Sequence, residues 1–103
     1  MKKSKLKPVE LVTYIYGEKV LSETYFEDEF GRKQGVCKMF SYRKKKKQLI
    51  QIYHYRDDKK NGLAITYVDD LAVGKGNYKD DLKDGEWHFT YTDIFKNGVK
   101  END

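Results

Sequence analysis

The chain says one phrase twice. Tyr55-Arg56-Asp57-Asp58-Lys59-Lys60-Asn61-Gly62 returns as Tyr78-Lys79-Asp80-Asp81-Leu82-Lys83-Asp84-Gly85. A repeat of this length constrains architecture before any single residue does, because each copy builds the same unit and is stabilised by its neighbours. The repeated glycine sets the frame. Gly35, Gly62 and Gly85 each open a run that reaches an aromatic, at Phe40, Tyr67 and Tyr91, and then a polar turn. A second run follows, at residues 49–55 and 71–78, and ends on the acidic phrase before the next Gly.

The runs read as strands. Leu63, Ile65 and Tyr67 alternate with polar neighbours, as do Trp87, Phe89 and Tyr91, and alternation marks a strand with one buried face. Tyr, Phe, Val, Ile and Thr suit a pleated surface. No helical stripe persists for the ~10 residues a helix needs. Residues 11–16 and 20–26 fit the same scheme more loosely, and the last block turns near Thr92-Asp93 and closes over 94–99. The expected fold is all-β: a single meandering antiparallel sheet of consecutive β-hairpin repeats, about eight strands. Counted from the Gly, the alternation has opposite parity in the second and third blocks. Either a bulge intervenes or both faces carry rings.

At these residues the chain resembles the MORN-repeat variant family. The shared pattern is a Gly, an aromatic pair, a turn, a second aromatic and a polar connector ending in Gly. It stands here as Gly85-Glu86-Trp87 with Phe89 and Tyr91, preceded by Tyr78 and Lys83-Asp84-Gly85. It recurs around Gly62 with Tyr67 and in Phe95-Lys96-Asn97-Gly98, over roughly residues 24–100 in all. The resemblance implies a meandering antiparallel sheet and, for many bacterial members, an antitoxin label; others are surface or structural proteins. Cys37 and Ala64 depart from it where Trp87 stands in the last block, and the polylysine turn has no counterpart.

Composition bounds the rest. The 103 residues make one small domain, 38% hydrophobic and 37% charged, yet 15% aromatic, with nine Tyr. Disordered chains are aromatic-poor, so a folded domain is expected over residues 9–100, between a flexible basic N-terminal arm (1–8) and a short tail (101–103). The arm is not followed by the ~7–15 apolar residues of a secretory h-region or the ~20 of a membrane span. Cys37 is the only cysteine, so no internal disulfide forms, and a cytoplasmic address is expected. The net charge of +4, from 21 basic and 17 acidic residues, permits an anionic partner without demanding one.

Catalysis is not expected. Asp57-Asp58, Asp69-Asp70 and Asp80-Asp81 lie between strands, where Asp favours turns, and they lack the further ligands of a calcium loop. His54 and His88 have no accompanying nucleophile signature. No P-loop or dinucleotide fingerprint is present, and no metal or cofactor is implied. Two binding resources remain. Arg43, Lys44, Lys45, Lys46 and Lys47 form a cationic hairpin tip, longer than its counterpart at 68–71 and projecting into water. It reads equally as an electrostatic hook or as a solubilising loop. Tyr53, Tyr55, Tyr78, Trp87 and Tyr91 are the candidate aromatic face, with Trp87 also a core candidate. The favoured reading is a non-catalytic protein-binding module: a small intracellular inhibitor, of antitoxin, immunity or anti-defence type, that blocks an effector such as a nuclease. The alternatives are nucleic-acid binding, with the basic tip on phosphate and Tyr42, Tyr53 and Tyr55 stacking bases, and a structural sheet that self-assembles by strand addition.

Overall fold

The computed structural model describes residues 5–89, 92–96 and 98–101. Among them the chain forms strands and no helix: β1 (Lys7–Ile15), β2 (Glu18–Glu27), β3 (Lys33–Arg43), β4 (Lys46–Arg56), β5 (Lys59–Lys60), β6 (Gly62–Val68), β7 (Leu71–Lys79), β8 (Leu82–His88), β9 (Thr92–Lys96) and β10 (Val99–Glu101). All pairings are antiparallel and follow chain order in one open sheet, with the two-residue β5 pairing β4 just ahead of β6. The expected all-β meander is the fold. β1 starts at Lys7, so Lys7 and Pro8, assigned above to the N-terminal arm, already pair with Glu27 and Phe26. The turn anticipated near Thr92-Asp93 lies elsewhere: both residues pair with β8 inside β9, and the chain reverses again at Gly98 before β10.

Reversal is local and repetitive. The two-residue turns Tyr16-Gly17, Lys44-Lys45, Asp57-Asp58, Asp69-Asp70 and Asp80-Asp81 all have positive φ at both positions. That is the type I′ geometry whose twist matches the flanking strands. Asp tolerates it better than most residues, and at Asp57, Asp58, Asp80 and Asp81 the side chain bonds the preceding block. The polylysine segment is the same turn and no longer. Arg43 pairs with Lys46 and Tyr42 with Lys47, so only Lys44 and Lys45 form the tip. The five-residue connector between β2 and β3 is built differently. Burial opposes ionisation of Asp28 there, but bonds from the Gln34 amide group, the Arg32 and Phe30 backbone N–H groups and the Arg32 guanidinium outweigh it. They hold its carboxyl well below the usual carboxylate range.

The repeated glycines are bulges. Gly35, Gly62 and Gly85 have φ of 77°, 93° and 74°, and each sits where the ladder slips. From Thr24↔Lys38 to Phe26↔Gln34, two steps on β2 span four on β3. From Lys75↔His88 to Asn77↔Asp84, the same happens on β8. β5 and β6 repeat this arrangement opposite β4. Two residues beyond each Gly stand Cys37, Ala64 and Trp87, at 0%, 2% and 4% exposure. The blocks are therefore in phase. The parity conflict arises because Leu63, Ile65 and Tyr67 lie on the face opposite Ala64, so both faces carry apolar side chains.

The core is one side of a single layer. The molecule measures 46 × 46 × 20 Å, with a radius of gyration of 15.6 Å, against about 13 Å for a compact chain of this length. On the face of Cys37, Ala64 and Trp87, rings alternate with lysines. Lys33 lies over Tyr25 and Tyr55 at 4.8 and 5.1 Å. Lys60 lies over Tyr53 and Tyr78 at 4.3 and 5.2 Å, and Lys83 over Trp87 and Phe89 at 5.0 and 5.5 Å. Each of these lysines stands two residues before a bulge Gly. Each cation–π contact contributes about 0.5–1 kcal/mol, and the lysine stems cover ring surface that a second layer would otherwise bury. Tyr53, Tyr78, Trp87 and Phe89 also pack on one another in sequence. Trp87 lies over Gly76, the only residue type that leaves room for it, and donates its indole N–H to the Asn77 carbonyl at 3.0 Å.

Candidate functional site

The hairpins give the sheet two unlike ends. At one end lie the connectors, and the paired aspartates staple them together. Asp58 Oδ1 accepts from the Lys33 amide at 2.8 Å, and the Asp58 amide donates to the Lys33 carbonyl at 3.1 Å. Asp81 and Lys60 repeat both bonds, at 2.8 and 2.9 Å. Asp57 and Gln34 exchange side-chain and backbone bonds, as Asp80 and Asn61 do. The duplicated phrase is thus the device that docks each turn on the preceding block. Among the described residues, no group of three or more His, Cys, Asp or Glu side chains is placed to hold a metal.

Burial shifts the thiol and three of the phenols inside the sheet. Burial and the neighbouring Glu23 carboxylate push the Cys37 thiol up to about 12; its Sγ donates to Glu23 Oε1, which also takes Lys33 Nζ at 3.1 Å. At such a value the thiolate, the reactive form, is scarce. Burial likewise raises Tyr53, to about 12, and raises Tyr55 and Tyr78. His54 donates Nδ1–H to the Leu63 carbonyl at 2.8 Å. His88 Nε2 meets Glu86 Oε1 at 2.6 Å on the exposed surface.

The candidate aromatic residues fall mostly within this packed face. Tyr53, Tyr55 and Tyr78 are half-buried beneath lysines and Trp87 is buried, so their ring faces are already occupied. Tyr91 lies outside the described residues.

Exposed Phe30 and Leu82 stand at the connector end, and a denser set of exposed rings, aliphatics and cations stands at the opposite end. The first tip exposes Tyr14, Ile15 and Tyr16, the last of them completely. The next carries exposed Arg43, Lys44, Lys45, Lys46 and Lys47. The third exposes Val68 and Leu71 around Asp69-Asp70. None of the five cations in the second tip makes an ion pair among the described residues; Lys47 lies over Phe40 at 4.2 Å. A cleft of about 540 Å³ opens between the first two tips, lined by Tyr14, Glu18, Lys19, Tyr42, Lys44 and Lys45 together with Gly17 and Val20. Lys19 covers the Tyr42 ring at 4.7 Å, and the Tyr42 hydroxyl shares a 2.9 Å hydrogen bond with buried Ser22. That bond, and the charges of Lys19 and Lys47, draw the Tyr42 phenol below its ordinary value. The sequence reading included the tip lysines but not Tyr14 or Lys19 as site residues. Their place beside the basic tip follows from strand pairing across β2 and β3.

No family model, curated protein or solved structure matches the chain.

Proposed function

We propose that this protein is a non-catalytic binding module that docks on a protein effector through its hairpin-tip end, an inhibitor of the antitoxin, immunity or anti-defence kind acting in the cytoplasm. The observation that carries this reading is the asymmetry of the two ends. The connectors are tied to one another through the aspartate staples, whereas the tips present exposed aromatic and aliphatic side chains and the exposed cations Arg43, Lys44, Lys45 and Lys46, which make no ion pair among the described residues. Exposed Tyr and Arg around a small apolar area are enriched at protein interfaces.

Two features favour a protein over a nucleic-acid strand. The rings expected to stack bases, Tyr53 and Tyr55, have lysines over their faces. The basic tip is followed along the same end by the acidic Asp69-Asp70 turn, which interrupts any continuous phosphate track. Self-assembly by strand addition is opposed by Lys7, Pro8 and Glu10 on the outer strand β1, residue types that protect a free edge from pairing.

The test is co-expression with the product of the neighbouring gene, followed by affinity capture at low salt. Co-purification that is lost on Tyr16→Ala with Lys44→Glu and Lys45→Glu, and kept on Asp57→Asn, supports the reading. Failure to recover a complex at low salt refutes it.

A further inference from the structure

The cleft between the first two tips has the size of a ligand pocket and an unusual lining. Lys19, Lys44 and Lys45 converge on it from two different hairpins, Tyr14 offers an exposed ring, and Tyr42 is fixed as a wall by Ser22 on one side and Lys19 on the other. Lys44 and Lys45 hold left-handed backbone conformations, φ 48° and 65°, where Lys is disfavoured and Asn-Gly would sit at ease. Strain retained at a turn, together with cations that make no internal ion pair, marks the turn as serving something outside the fold.

We infer that this cleft is a recognition pocket for an acidic peptide segment, in which a Glu or Asp carboxylate lies between Lys19, Lys44 and Lys45 and an adjacent apolar side chain packs on Tyr14. The inference rests on the protein-binding reading above and names the chemistry of the partner's contact. An acidic peptide fits better than a nucleic-acid strand for three reasons. The cations at the cleft are three, Lys19, Lys44 and Lys45, with Glu18 beside them and the acidic Asp69-Asp70 turn beyond, so they match one or two carboxylates rather than a phosphate row. Of the two rings that line the cleft only Tyr14 is unobstructed, because Tyr42 is capped by Lys19. Glu18 in the same wall disfavours polyanions while leaving room for a singly charged side chain.

The experiment is an amide ¹H–¹⁵N titration of the full chain with a capped hexapeptide alternating Glu and Leu. Its Gln-for-Glu counterpart and a thymidine hexanucleotide are run in parallel. The expected result is saturable shifts at Gly17, Lys19, Lys44 and Lys45 with the Glu peptide. The Gln peptide gives none, and the Lys44→Glu, Lys45→Glu variant binds at least about tenfold more weakly. Unchanged tryptophan emission verifies that the variant is folded, and Lys19→Gln, which leaves the turn intact, also weakens binding. Absence of shifts at millimolar peptide, equal binding of the Gln peptide, or tighter binding of the oligonucleotide at these amides overturns the inference. A co-purified effector complex that survives the Lys44→Glu, Lys45→Glu change overturns the pocket while leaving the binding reading intact; absence of any effector complex overturns the binding reading itself.

Discussion

Replacing Gly76 by Ala places one methyl group in the most crowded of the glycine positions. A Cβ at this position would stand 2.1 Å from Trp87 Cδ2, 2.3 Å from Cε2 and 2.5 Å from Cγ. Those atoms are the middle of the indole, so the ring itself must move. Its freedom is small: Trp87 is 4% exposed, tied to the Asn77 carbonyl and packed against Tyr78 and Phe89. Overpacking of this kind costs about 1–3 kcal/mol when neighbours yield. Losing the indole hydrogen bond adds about 1 kcal/mol, giving an expected loss of about 2–4 kcal/mol. For a domain of this size that lowers Tm by roughly 4–8 °C per kcal/mol. Trp87 is the chain's single tryptophan, so its emission reports the displacement directly: a red shift in the folded protein, alongside an earlier thermal transition by circular dichroism. Gly85→Ala is the contrast. Nothing lies within 4 Å of its Cβ, but its φ is +74°, so only backbone strain of about 1–2 kcal/mol applies and emission stays put. Gly76→Ala combined with Trp87→Ala costs less than the sum of the two single changes, since the clash is gone. A Gly76→Ala protein with unaltered emission and midpoint would refute the packing of Trp87 on β7.

Lys60→Ala removes a cation shared by Tyr53 and Tyr78, and is expected to cost about 1–2 kcal/mol in urea-monitored unfolding; a surface lysine with no such role gives no measurable change. Lys44→Asn with Lys45→Gly relieves two left-handed residues and raises stability by about 1 kcal/mol while weakening effector binding, so thermal melts and affinity capture move in opposite directions. Asp28 has a depressed folded-state pKa, so its stabilisation is complete above the ordinary Asp value of about 3.9 and is lost as pH falls below that through the folded value. Asp28→Asn is therefore less stable than the parent at pH 7, and the difference narrows steadily below pH 4.

The hairpin order was legible because the turn chemistry is written out: Asp-Asp pairs at left-handed positions and Gly at each bulge recur at near-constant spacing. The common phase of the blocks was hidden. Cys37, Ala64 and Trp87 are equivalent positions with very different volumes, because size is balanced between neighbouring strands, as where Gly76 lies beneath Trp87. Hydrophobic alternation thus followed Leu63, Ile65 and Tyr67 onto the other face. Lys33, Lys60 and Lys83 were visible as part of the repeat, but a search for apolar periodicity passes over a core in which cations separate rings. The polylysine run misled by composition: five cations look like a loop, whereas strand pairing continues through Arg43 and resumes at Lys46. The cleft was not legible, since Tyr14, Lys19 and Lys44 meet only once β2 pairs with β3.

Hydrogen–deuterium exchange on the complex with the co-expressed effector tests the central claim most directly. Slower exchange over residues 14–18 and 43–47, with the stapled turns 57–58 and 80–81 unchanged, is the predicted footprint. Protection confined to the strands bearing Tyr53, Tyr78 and Trp87, with the tips exchanging as in the free protein, would contradict it.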